Sequence, residues 1–158
     1  MLDTDATSTP PQTTGMATDS ATGSTTGLVD PFGRTIEYVR LSLTDKCNLR
    51  CFYCMPKGHS DFELPEHWLN DDEIVRVIRA FTKLGVARVR LTGGEPLVRK
   101  GVPELARRLT TLPGLDDLSL STNAVLLAKQ ARALKQAGIS RINVSLDSLR
   151  PERFRSIT

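Results

Sequence analysis

The 158-residue sequence is 39% hydrophobic and 25% charged, an ordinary globular composition with material for one modest core. Its net charge of +3 hides an asymmetry: residues 1–33 carry −4 with no Lys or Arg, which leaves +7 on the rest, a balance that suits an anionic small molecule and by itself equally suits weak nucleic-acid binding. No apolar run is long enough to span a bilayer, no basic and apolar secretory start is present, and an odd set of three cysteines cannot close a disulfide framework, so a soluble cytoplasmic protein with a metal or redox site is expected.

Residues 1–29 are dominated by Thr, Ser, Gly, Ala and Asp, with Pro10 and Pro11, and show no apolar period. They read as a disordered extension ahead of a domain over residues 30–158. A transit peptide is the weaker reading, because the segment has no Arg and carries Asp. Tyr38–Leu43 then reads as a strand, followed by a long loop with the cysteines. Asn70 or Asp71 can cap a helix with Ile74, Val75, Ile78 and Phe81 at helical spacing, ended by Gly85. A strand over Val86–Thr92, a helix over Val102–Leu112, a strand over Leu118–Ser121 and a helix over Leu126–Ala137 follow. A strand over Ile139–Asp147 and a helix opened by Pro151 complete the order.

About four βα units in series predict an α/β fold with a parallel sheet, either open and doubly wound or part of a β/α barrel. Each strand has one apolar and one polar face. Val39, Leu41, Val89, Leu91, Leu120, Ile142, Val144 and Leu146 are expected to pack on the helices. Arg40, Ser42, Arg88, Arg90, Thr92, Ser119, Ser121, Asn143, Ser145 and Asp147 are then left facing a barrel interior. Unpartnered arginines there would cost several kcal/mol each, so the interior should hold water and an anionic ligand. The alternative is an exposed sheet face on a fragment.

Cys47, Cys51 and Cys54 have C-x3-C-x2-C spacing on the loop after the first strand. Three thiolates in such a loop can ligate three irons of a [4Fe–4S] cube and leave the fourth iron open to a ligand. Two other readings remain: a zinc site completed by His59, and cysteines that are simply buried. Thr92-Gly93-Gly94-Glu95-Pro96, after the second strand, lets backbone approach a ligand closely, although a Gly-Gly pair is often only a turn.

Together, Cys47-x3-Cys51-x-Tyr53-Cys54 and Gly93-Gly94-Glu95-Pro96 resemble the radical S-adenosylmethionine (SAM) superfamily. Asp30-Pro-Phe-Gly-Arg34, the Leu41–Arg50 stretch, Cys54-Met-Pro56, Arg90–Arg99 and Arg141–Ser148 are similar, more narrowly, to its GTP 3′,8-cyclase (MoaA) family of molybdenum-cofactor biosynthesis. The resemblance implies a partial radical-SAM TIM-like barrel, with residues 30–158 as the front of the core domain. It implies a [4Fe–4S] cluster on Cys47, Cys51 and Cys54, and SAM held by Tyr53, Gly94 and Ser145. It implies GTP held by Arg40, Arg90 and Ser121, with the last a serine where the family usually has a contacting Thr. Ser121 and Ser145 can also be simple strand-end residues.

The implied reaction is SAM cleavage to a 5′-deoxyadenosyl radical that takes the 3′ hydrogen of GTP, giving (8S)-3′,8-cyclo-7,8-dihydroguanosine 5′-triphosphate. An external electron donor is required, nucleic acid and membrane are not expected partners, and a homodimer or a completing chain is an open option. Two departures from the family stand out. Ala124 replaces the Gly that normally ends the pattern after the third strand. The family's C-terminal region, with three more cysteines for a second cluster, has no counterpart in these residues. A catalytically incompetent fragment that binds a cluster and SAM, or another radical SAM enzyme, are therefore the rival expectations.

Overall fold

In the computed structural model, residues 27–55, 58–59 and 68–158 are described. Most of the anticipated extension, residues 1–26, lies outside them. Residues 27–29 join the fold: Val29 bridges Thr35, Leu28 packs on the core, and its N–H donates to the Leu84 carbonyl at 3.1 Å.

Four parallel strands pair in chain order: β1 (Tyr38–Ser42), β2 (Arg88–Thr92), β3 (Asp117–Thr122) and β4 (Arg141–Val144). Helices α1 (Asp71–Lys83), α2 (Val102–Thr110) and α3 (Leu127–Gln136) form the crossovers, and α4 (Pro151–Ile157) follows β4. Helices α1, α2 and α4 begin where the chain supplies a start signal, whereas α3 starts after Leu126 with no side-chain cap. Asn70 accepts the Glu73 N–H at 3.0 Å while Glu73 accepts the Asn70 N–H at 2.8 Å, a reciprocal cap worth about 1 kcal/mol. Proline sits in the first turn of α2 and of α4, where its missing N–H costs nothing.

The register aligns Leu41 with Leu91, Leu91 with Leu120 and Leu120 with Ile142, so one face of the sheet is a continuous apolar row. Helices α1 to α3 cover it with Ile74, Val75, Ile78, Leu105, Leu109 and Leu134, and the core is this layer between sheet and helices. Burying each such side chain contributes roughly 1.5–3 kcal/mol.

The expectation fails at β4. Ile142 and Val144 remain 38% and 52% exposed, and Leu146 lies beyond the end of the strand, also exposed. Helix α4 buries no residue. Its last turn swings instead to the cysteine loop, where the Ile157 carbonyl accepts the Phe52 N–H at 3.0 Å. Strand β4 is also shorter than its apolar alternation implied, so Ser145 and Asp147 sit on the loop after it. No helix among the described residues is long and apolar enough to cross a membrane.

Candidate active site at the C-terminal ends of the strands

All four strands run parallel, so the loops after them gather at one edge of the sheet, where α/β proteins place their ligands. A cavity of about 240 Å³ opens there. It is lined by Cys47, Cys51, Cys54, Tyr53, Gly94, Ser145, Arg40 and Ser121, which is every residue selected from the sequence except Arg90. Leu49, Thr92, Gly93, Glu95, Thr122 and Asn123 complete the wall.

The glycine pair acts differently from the sequence reading. A Cβ on Gly93 would meet the Thr44 carbonyl oxygen at 2.5 Å, and one on Gly94 would collide with the Asp45 and Lys46 carbonyls. The close approach is therefore to the start of the cysteine loop. Gly94 N–H donates to the Thr44 carbonyl at 2.7 Å and Glu95 N–H to that of Lys46 at 2.8 Å, stitching the loop to the tip of β2. Two of the turn's N–H groups are thus taken up by the loop. Arg99 fixes the other side of the loop by donating to the Leu43 carbonyl at 3.0 Å and pairing with Asp71 at 2.6 Å.

Behind the turn lies the buried carboxylate of Glu95. One oxygen accepts from Thr122 Oγ1 at 2.7 Å and from Leu97 N–H at 3.0 Å; the other accepts from Asn123 N–H at 2.7 Å. Three donors satisfy a charge that would otherwise be too costly to bury. The glutamate thus binds the tip of β3 to the tip of β2.

The three thiols share the cavity wall, and no group of three His, Cys, Asp or Glu side chains gathered around one point is present among the described residues. A zinc ion needs its ligands gathered around one point, whereas an iron–sulfur cube takes one thiolate on each of three irons. Three cysteine sulfurs on one cavity wall are the donor chemistry that such a cube takes. Burial pushes the Cys51 thiol above its ordinary value, with the Asp147 charge adding to the shift and a hydrogen bond from Tyr53 opposing it. Tyr53 Oη donates to both oxygens of Asp147, at 3.0 and 2.9 Å, and this bond is the main reason its hydroxyl is pushed up to about 12. That pair ties the cysteine loop to the chain after β4.

Arg40 and Arg90 are cross-strand partners, two like charges side by side on the polar face of the sheet. Arg90 lies outside the cavity lining; its guanidinium stacks over the Tyr38 ring at 5.6 Å, and its buried Nε has no hydrogen-bond partner. A buried donor beside a second guanidinium is a place an anion would relieve. Arg88 does not join them. It stands at the opposite end of β2 and pairs with Glu37 at 3.4 Å.

Sequence reasoning did not single out Glu95, Asn123, Asp147 or Arg99 as working residues. Glu95 was visible only as a letter in the Gly-Gly-Glu-Pro run, and Asn123 only as part of the turn after β3. Their partners are far away in sequence, so only the fold brings them together.

Comparison with known proteins now adds to the geometry. The model of the Radical SAM superfamily matches residues 41–158, and the chain belongs to that superfamily. Within it, the chain is similar to the GTP 3′,8-cyclase of Hydrogenovibrio crunogenus, 55% identical over 133 residues, and to that of Petrotoga mobilis, 50% identical over 131. Each match covers 83% of this chain but only 40% and 41% of those proteins, so the chain spans about two fifths of the length of these curated relatives. The crystal structure of BtrN in complex with AdoMet and 2-DOIA superposes with a TM-score of 0.57 at 20% identity, over 78% of this chain and 51% of that one, and supports the partial-barrel fold.

Proposed function

We propose that this chain forms the SAM-cleaving front of a radical SAM GTP 3′,8-cyclase. The observation that carries the reading is the cavity itself, in which the three thiols, Tyr53, Gly94, Ser145, Arg40 and Ser121 meet at the strand ends. The identity of about one half to GTP 3′,8-cyclases points to the same activity.

Under this reading Cys47, Cys51 and Cys54 hold a [4Fe–4S] cluster with one open iron. When bound, cluster and SAM supply the 5′-deoxyadenosyl radical that takes the 3′ hydrogen of GTP, so that the ribose carbon closes on C8 of guanine. The acceptors of the Gly93-Gly94 turn hold the amino group of SAM, while Ser145 and Tyr53 contact the rest of it. Arg40 and Arg90 neutralise triphosphate oxygens with paired N–H groups, and Ser121 adds a hydroxyl. Walls held by Glu95 and Arg99 keep the two ligands in line, which is the protein's share of the chemistry. The electron comes from an external donor, and the free thiols suit a reducing, cytoplasmic compartment.

Anaerobic reconstitution with iron and sulfide tests the proposal. The expected result is iron–sulfur absorption, dithionite-dependent release of 5′-deoxyadenosine from SAM, and loss of both in Cys51→Ala. GTP should raise the melting temperature more than guanosine does, and Arg90→Ala should shrink that difference. A chain that takes up no cluster overturns the assignment. A chain that cleaves SAM but ignores GTP points to another radical SAM substrate.

A further inference from the structure

We propose that Asn123 is an outer-sphere residue that sets the reduction potential of the cluster by donating an N–H to the sulfur of Cys47. The inference rests on the cluster reading above and concerns a residue that contacts neither SAM nor GTP in that reading.

The orientation of the Asn123 amide is fixed by its neighbours. Val125 N–H donates to Asn123 Oδ1 at 3.0 Å, and an N–H can donate only to the oxygen, so the NH₂ end must face the other way. There it donates to Asn48 Oδ1 at 2.8 Å and points its second hydrogen at Cys47 Sγ, 3.8 Å away. The backbone is held as firmly: Asn123 N–H donates to the buried Glu95 carboxylate, and Ala124 N–H donates to Thr122 Oγ1 at 3.0 Å. Ala124 follows in the left-handed conformation, φ 66°.

Cys47 also accepts the Leu49 N–H at 3.4 Å. Its sulfur therefore receives two N–H donors. N–H donors on a cluster thiolate withdraw charge from it and favour the form with the added electron, which raises the potential. The step is the transfer of one electron from an external one-electron donor to the cluster, with no bond made or broken. A SAM-cleaving cluster must accept that electron near the limit of cellular reductants, so a donor at Cys47 decides what fraction is reduced. Glu95 has a second meaning in this light: it is the positioning residue for Asn123, and it links the glycine turn to the cluster's electronics through one carboxylate.

The test is a redox titration of the reconstituted chain followed by electron paramagnetic resonance, a readout that a purely structural role would not move. Asn123→Asp keeps the acceptor for Val125 but sets a carboxylate oxygen opposite the sulfur. It should lower the reduced-to-oxidised ratio at a fixed poise about tenfold, or 59 mV for a one-electron couple. Asn48→Ala frees the amide from its competing acceptor and should shift the potential the other way by a smaller amount. Shifts of opposite sign support the proposal. An unchanged potential in Asn123→Asp at full iron and sulfide content overturns it. If Asn123→Asp holds no cluster, Asn48→Ala decides alone, a rise supporting and no change overturning. A parent chain that never takes up a cluster overturns the cluster reading and this inference together, whereas a normal cluster with unmoved potentials overturns only the role of Asn123.

Discussion

Strands β2 and β4 are written in the same alternating pattern, yet they live in different surroundings. Val89 and Leu91 on β2 are completely buried in the layer between sheet and helices, while Ile142 and Val144 on β4 stay exposed. Alternation decides which face of a strand is apolar. Whether that face is covered depends on where the next helix goes, and α4 goes to the cysteine loop.

Three tests, using four substitutions, break or sharpen this comparison. The largest effect is expected for Leu91→Ala, which opens a cavity in the layer between sheet and helices and should cost about 2–5 kcal/mol. Val144→Ala, the same kind of truncation on β4, should stay within about 0.5 kcal/mol. Urea unfolding of the two variants measures the difference, and equal losses would mean that β4 is covered in solution.

The second probes the seam between β3 and β4. Ser140 Oγ donates to Asp117, Arg141 pairs with it, and these hold its carboxyl below the ordinary 3.8 against a desolvation push upward. A depressed folded-state value means a stabilising contribution that is complete above 3.8 and lost as pH falls through the lower folded value. Asp117→Asn should therefore cost about 1 kcal/mol at pH 7 and progressively less as the medium is acidified below pH 3.8. Denaturation at a series of pH values reads this; a pH-independent loss would assign the effect to packing.

The smallest effect is a gain. Ala124 sits at φ 66°, where a Cβ is strained by roughly 1 kcal/mol. Ala124→Gly gives back part of that relief as unfolded-state freedom, leaving a net stabilisation of about 0.5 kcal/mol, seen as a small rise in melting temperature.

Much of the fold was legible in the sequence because its signals are local. Asn70 with Glu73, the prolines opening α2 and α4, and the apolar residues of β2 and β3 each identify their element within a few positions. The candidate site was legible where a residue type stands out in the sequence: the three thiols, the glycines of a crowded turn and the strand arginines. It was not legible where a residue works through a distant partner. Nothing adjacent to Glu95 announces that it will accept from Thr122 and Asn123, and nothing near Tyr53 announces Asp147. The exposure of β4 was hidden for the same reason, since it follows from the path of α4 and not from the strand.

The crowded contact between Gly93-Gly94 and the backbone of residues 44–46 also imposes an order of events. The cysteine loop is synthesised well before the turn that pins it. At a synthesis rate of about 5–20 residues per second, the three thiols wait several seconds on a nascent chain with no wall to close against. Any chemistry at the thiols in that interval acts on a loop that nothing yet pins, until the second strand and its glycines have been made.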